Sequence, residues 1–390
     1  MVFDQDEYRR RLARCREAMA ARGIEVLIES DPANMNYLTG YDGWSFYYVQ
    51  MVVVTLEDAL PLWIGRGVDI AGARLTTSLP EENIIPWPDP LVDNAVNHPM
   101  EYVAEQLIAR GLGGKTIGFD RDCYEFTPRC ADVLKAKLPN ARFVDAPRLV
   151  NWLRLIKSDA EIAVMGEAAR ITESIMAAFF QAVEPGVREC DAIGEIYRAQ
   201  AAGTASFGGE FCCVAPLMPT GEGTATPHMT WTDRPFQKGE ATYLETAGVR
   251  HRYHVPMVRA VHLGKAPQKL IDTSKAVNEG IEAALAVARP GNTCEAVEAA
   301  WRKAIARWSI EKESRIGYSI GVGYPPDWGE HTVSLRPRHR TVLQENMALH
   351  MVCGIWDQDW GGVSFSEPFH ITGKGAELFA QVPRELHVKQ

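Results

Sequence analysis

The hydrophobic rhythm of the chain changes near residue 150, and that break limits the folds open to it. Before the break, short apolar runs alternate with helical periodicity. Residues 6–22 carry Tyr8, Leu12, Cys15 and Met19 at helical spacing, and Gly23 follows as a stop. "EVLIES", "YYVQMVVVTL", "PLWIG" and "TIGFD" read as strands, with helical "EYVAEQLIARG" between the last two. This alternation predicts a small α/β unit ending near Leu149. After the break, "LRLIKSDAEIAVMGEAARITESIMAAFFQAV" reads as one long amphipathic helix, with Ser158–Asp159 in its capping region. Helical "DAIGEIYRAQAA" and "EAVEAAWRKAIARW" and antiparallel strand pairs around 211–264 and 316–372 fill the second half. No repeat or low-complexity linker marks the join. The expected class is α/β (α+β), with domains 1–150 and 151–390.

Composition excludes several functions. The 390 residues are 46% hydrophobic and 23% charged, enough for more than one globular core. A net charge of -9 argues against a nucleic-acid binder, because phosphate contacts need a basic face. The N-terminal "MVFDQDEYRRRLARCREAM" holds acids and no apolar centre, so it is not read as a signal peptide. No apolar run reaches the roughly 20 residues of a membrane span. Of eight cysteines, Cys212 and Cys213 form the one close pair, and CxxC spacing is absent. Reduced thiols in a cytoplasm are the expectation.

Four stretches then match in order: "DPANMNYLTGY" (31–41), "LRLIKSDAEI" (153–162), "ENMALHMVCGIW" and "SEPFHIT". In these the chain resembles the creatinase and aminopeptidase P group. The resemblance implies a small N-terminal α/β domain followed by a pita-bread (creatinase-like) catalytic domain. Metal-dependent members hold two divalent ions between two Asp, one His and two Glu. At the matching places stand Glu245, Pro256, Tyr318, Val352 and, for the last, Ser366 or Glu367. At most two carboxylates remain, and a dinuclear site needs several hard oxygen and imidazole donors per ion. No metal and no cofactor are therefore expected.

A finer resemblance is to the ectoine hydrolases, carried by "DPANMNYLTGYDGWSFYYVQ", "LETAGVRHRYHVPMVR", "GYSIGVGYPPDWGEHTVSL" and "SFSEPFHIT". It implies a cytoplasmic homodimer that opens a cyclic amidine carrying a carboxylate to N-acetyl-2,4-diaminobutyrate. A cationic substrate makes a metal unnecessary, since it already carries the charge that a metal would supply. Glu245 is the expected nucleophile at the amidine carbon. His228, 31 residues before Arg259 as in metal-free creatinase, is the expected proton shuttle. The expected substrate-binding residues are Trp44, Tyr47, Tyr253, Arg259, Tyr318, Trp328, His350, Glu367 and His370. Arg259 is considered as a clamp for the substrate carboxylate, as is the cluster Arg336, Arg338 and Arg340. Strand alternation puts Tyr253 on the face of Glu245 and His254 on the other, with a local irregularity at Pro256. "GVGYPPDWGEH" is expected to be a rigid loop, with Asp327, Trp328 and Glu330 near the pocket mouth.

The expected partners are a small cationic or zwitterionic substrate (ectoine, with hydroxyectoine as a second candidate), a second copy of the chain and a downstream deacetylase. No nucleic acid and no membrane are expected. Two other reactions compete, a creatinase-like amidinohydrolase and a dimethylsulfoniopropionate lyase. From another class, a pita-bread pseudoenzyme would serve as a binding module.

Overall fold

The structure is a computed structural model that describes residues 2–390. It divides into two compact units, Met1–Arg154 and Leu155–Gln390.

In the first unit, helix α1 (Gln5–Ala21) starts where the Asp4 side chain accepts the Glu7 N–H, and it buries Tyr8, Leu12, Cys15 and Met19. A six-stranded mixed sheet runs in the order β4-β3-β2-β1-β5-β6. Its strands are β1 (Val26–Glu29), β2 (Met51–Thr55), β3 (Leu62–Arg66), β4 (Ile84–Trp87), β5 (Thr116–Phe119) and β6 (Arg142–Asp145). Sequence reading missed β4 and β6. Both are edge strands: β4 contains Pro86, which a sheet tolerates at an edge, and β6 has only Phe143 and Val144 as apolar residues. The connecting helices are α2 (Pro32–Thr39), α3 (Ile70–Thr76), α4 (Pro99–Ala109), α5 (Pro128–Lys137) and α6 (Leu149–Arg154). The loop between α2 and β2 carries Trp44 and Tyr47, which are 54% and 69% exposed.

The second unit opens on α7 (Asp159–Ala182). Ser158 caps it through a reciprocal box with Glu161, which fixes its start there rather than at 153. Helices α8 (Glu189–Ala202), α9 (Gln268–Val287) and α10 (Cys294–Ile305) follow. The sheet is built from β7 (Ala241–Arg250), β8 (Tyr253–Leu263), β9 (Gly317–Tyr324), β10 (Asp327–Ser334), β11 (Ala348–Asp357), β12 (Gly361–Thr372), β13 (Gly375–Leu378) and β14 (His387–Lys389). Its order is β13-β12-β11-β9-β8-β14, with β7 on β8 and β10 on β9. Trp301 of α10 and Phe365 of β12 lie in its core cluster.

The β7–β8 hairpin sets the geometry of the site. Its two-residue turn, His251–Arg252, has φ of 50° and 66°, a conformation that usually calls for Gly or Asn. Here the Glu210 carboxylate accepts both turn N–H groups and holds them in place. The turn pairs Glu245 with Val258 and Val249 with His254, so His254, not Tyr253, shares the face of Glu245. This reverses the alternation expected from sequence.

Register also runs unbroken through Pro256, which pairs with Ala247. The Glu245 N–H and C=O both turn away from β8 to Leu217. The pair two residues on, Ala247–Pro256, therefore also lacks bonds across the hairpin, and the missing proline N–H leaves that ladder whole.

The opposite face of the hairpin packs on α7. A Cβ on Gly248 would lie 2.3 Å from the Ala168 carbonyl, so the strand and helix meet there backbone to backbone. The expected rigid loop is instead the β9–β10 hairpin, turning at Pro325–Pro326.

Candidate active site

Glu245 lies on β7, 9% exposed, and is the one carboxylate of that strand. Its pKa is pushed up to about 7, by burial first and then by the negative charges of Asp327 and Cys212. Asp327, at the start of β10, keeps its own charge. Burial opposes ionisation most, but His331 and the N–H groups of Gly329 and Trp328 together hold its pKa below the usual value. Asp327 and Cys212 thus add negative potential at Glu245.

The imidazole on the Glu245 face belongs to His254. Its Nε2 accepts the Cys213 N–H at 3.1 Å and its Nδ1 lies 2.8 Å from the Arg252 carbonyl, which places a ring proton on Nδ1. Both nitrogens are occupied, so this ring braces the Cys212–Cys213 segment against the hairpin. Sequence reading noted that cysteine pair but gave it no role; its adjacency was the signal.

A second group gathers on β9, β10 and β11. Trp328 Nε1–H donates to the Tyr318 hydroxyl at 2.8 Å, and the same oxygen lies 3.2 Å from His350 Nδ1. Register places His350 directly opposite Tyr318. The Glu245 charge raises the Tyr318 pKa, second to burial, so the two side chains belong to one site. Three residues expected from sequence, Tyr318, Trp328 and His350, are therefore brought together beside Glu245.

The other expected residues of this unit are not. Tyr253 points to α7, where its hydroxyl donates to Glu161 at 2.7 Å. Arg259 is fully buried. It donates to Glu367, to the carbonyls of Val258, Ser366 and Val382 through its terminal nitrogens, and to the Pro383 carbonyl through Nε. A guanidinium so occupied braces the β8–β12 contact and has no fork left for a substrate carboxylate. Glu367 is held by Arg259 and Arg384. Ser366, which pairs with Val352, lies on the face of His350, whereas Glu367 lies on the reverse. The slip left open by the sequence is thereby resolved in favour of Ser366.

His370 stacks on Phe379 at 4.9 Å. Glu330 is fully buried against Lys157 at 2.7 Å, not at a pocket mouth. His228 is exposed on the segment after the short helix Gly221–Ala225 and forms no hydrogen bond or ion pair among the described residues. Arg336, Arg338 and Arg340 are exposed. Trp44 and Tyr47 belong to the first unit.

Comparison with known proteins places this geometry. The signature of metallopeptidase family M24 matches residues 163–373, and that of the creatinase/prolidase N-terminal domain matches residues 11–156. The chain belongs to the M24 family. It is 44% identical to an uncharacterized hydrolase/peptidase, y4tM, of Sinorhizobium fredii, over 99% of this chain and 98% of that one. It is 43% identical to the ectoine hydrolase of Halomonas elongata, over 100% and 99%. A prolidase from Thermococcus sibiricus superposes with a TM-score of 0.84, covering 98% of this chain and 99% of that one at 19% identity, which shows the shared pita-bread fold. This M24 chain is a hydrolase.

Many M24 enzymes are metallopeptidases, so the donor set was tested for a metal. Of the five ligand positions, Glu245 supplies the sole carboxylate, while Pro256, Val352 and Ser366 offer none. Tyr318 already receives Trp328 N–H and touches His350. Among the described residues no group of three His, Cys, Asp or Glu side chains is placed to hold a metal ion. These donors do not fit a two-metal centre. Among the same residues no helix is long and apolar enough to cross a membrane.

Proposed function

We propose that this M24 hydrolase opens the cyclic amidine ring of ectoine without a metal, giving N-acetyl-2,4-diaminobutyrate. The observation that carries the reading is Glu245. A nearly buried carboxylate stands at the first ligand position, in a field made more negative by Asp327, with no cation in the donor set to neutralise it. Such a site binds a delocalised cation, and an amidinium is one whose central carbon is also electrophilic. The full-length likeness to an ectoine hydrolase supports the same substrate. Hydroxyectoine, with the same ring, is the second candidate.

In this reading Glu245 attacks the amidine carbon. The amidinium lowers the carboxylate's raised pKa on binding, so the substrate ionises its own nucleophile. His228 stays the sequence-derived proton shuttle. It stands exposed on the segment after the Gly221–Ala225 helix. The protein acts as a cytoplasmic homodimer, to which Trp44 and Tyr47 offer exposed aromatic surface, and a deacetylase consumes the product.

The test is acid quench of the protein within milliseconds of mixing with ectoine, followed by intact mass and peptide mapping. A transient adduct on the Glu245 peptide, absent in Glu245→Gln, is expected. Product release with no adduct at any time would replace covalent catalysis by direct attack of water. Turnover of creatine or a sulfonium compound in place of ectoine would overturn the substrate.

A further inference from the structure

The Tyr318 hydroxyl is more fully specified than a packing contact requires. Trp328 Nε1 is a donor only, so one lone pair of the phenol oxygen is taken. The second partner, His350 Nδ1, decides where the Tyr318 proton points. His350 is fully buried, and its Nε2 has no hydrogen-bond partner. Burial first, then the charges of Arg259 and Arg315, hold its pKa near 3, so the ring is neutral. One nitrogen carries the proton and the other a lone pair.

The unpartnered Nε2 selects the tautomer. A buried N–H with no acceptor costs more than a buried lone pair with no donor. This favours the lone pair on Nε2 and the proton on Nδ1, facing Tyr318. The Tyr318 oxygen then accepts from both Trp328 and His350, and its own O–H has one direction left, away from both. The charges of Glu245 and Asp327 both favour keeping that proton on Tyr318. Tyr318 is partly exposed, and the Arg315 guanidinium covers its ring at 4.4 Å.

We propose that Tyr318 is the proton donor to the leaving ring nitrogen, with Trp328 and His350 as the residues that position it and stabilise its phenolate. The inference rests on the amidine reading above and gives the acid role in it to Tyr318 in place of the exposed His228.

The steps balance. A Glu245 oxygen bonds to the amidinium carbon. The ring C–N bond breaks, its electron pair goes to nitrogen, and that nitrogen takes the Tyr318 proton. The phenolate formed keeps two N–H donors, which is how preorganised donors stabilise developing negative charge. Water then attacks the carbon held by Glu245 and gives one proton to the phenolate. Glu245 leaves as carboxylate, and the remaining proton goes to the freed amine. Burial and the Glu245 charge keep free Tyr318 protonated. Once Glu245 bonds to carbon that charge is gone, and the two N–H donors ease transfer of the proton to the departing alkylamine.

The experiment compares two leaving groups. Ectoine expels an alkylamine, which needs a proton; an N-aryl acetamidine expels an arylamine, which needs it far less. Tyr318→Phe is expected to lower kcat on ectoine by about 10²–10⁴-fold, the usual range for a general acid, and on the aryl amidine by less than about tenfold. Trp328→Phe, which removes one N–H donor, is expected to show the same bias more weakly. It carries the test if Tyr318→Phe does not fold.

Equal losses on both substrates, or none on either, would overturn the proposal. So would finding the bias in His228→Asn and not in Tyr318→Phe. Wild-type turnover of ectoine reports separately on the substrate: an enzyme that opens aryl amidines but not ectoine loses that assignment while Tyr318 is still tested by its leaving-group bias.

Discussion

At the scale of single residues, Glu245 governs the pH dependence. Its carboxylate must be ionised to attack, and its pKa in the free protein is about 7. The ratio kcat/KM is therefore expected to rise with pH through a midpoint near 7. Asp327 raises that pKa, so Asp327→Asn lowers it and moves the rising limb to more acid pH. Steady-state pH profiles of the two proteins check this, and a shift to more alkaline pH would contradict it.

Arg259 gives a second test at this scale. Sequence reading offered it as a carboxylate clamp, but its guanidinium is filled by Glu367 and four backbone carbonyls. Arg259→Ala leaves Glu367 buried beside Arg384 alone and is expected to cost about 3–5 kcal/mol of stability, read by urea unfolding. A large rise in KM with unchanged stability would restore the clamp. Composition gives no sign of such saturation. It depends on Val382 and Pro383 coming back beside β8, more than a hundred residues along the chain.

At the scale of elements, the hairpin both positions the site and hides it from sequence. Glu245 and His254 share a face because the turn holds two residues, and that depends on Glu210 clamping His251 and Arg252 at positive φ. Neither turn residue announces it, so alternation counted along the sequence chose the wrong face for His254 and Tyr253. The close approach of β7 to α7 is equally local. Gly248→Ala sets a methyl against backbone at Ala168 and Thr172, which cannot move aside as a side-chain tip would. The expected cost is about 1–3 kcal/mol, or about 2–4 °C of melting temperature per kcal/mol in a unit of this size. Because β7 carries Glu245, kcat should fall with it. A variant with unchanged melting temperature would show that the strand and helix are not held at that distance.

At the scale of the molecule, helical and strand periodicity made most of the architecture legible. Tyr8, Leu12, Cys15 and Met19 bury as the α1 spacing requires, and Ser158 caps α7 as its neighbours imply. The edge strands β4 and β6 escaped because edges need neither alternation nor β-branched residues. At the site, Pro256 and Val352 were readable from sequence as residues whose side chains cannot donate to a metal. The Trp328–Tyr318–His350 chain was not, because it joins three strands whose register only the folded sheet defines.

Metal-free hydrolysis of an amidine at Glu245, as proposed, is read most directly by ectoine turnover of chelator-dialysed protein of measured metal content, with mass spectrometry of the product. A product heavier by one water is expected, at an undiminished rate. Turnover that vanishes on dialysis and returns only with a divalent ion would contradict it.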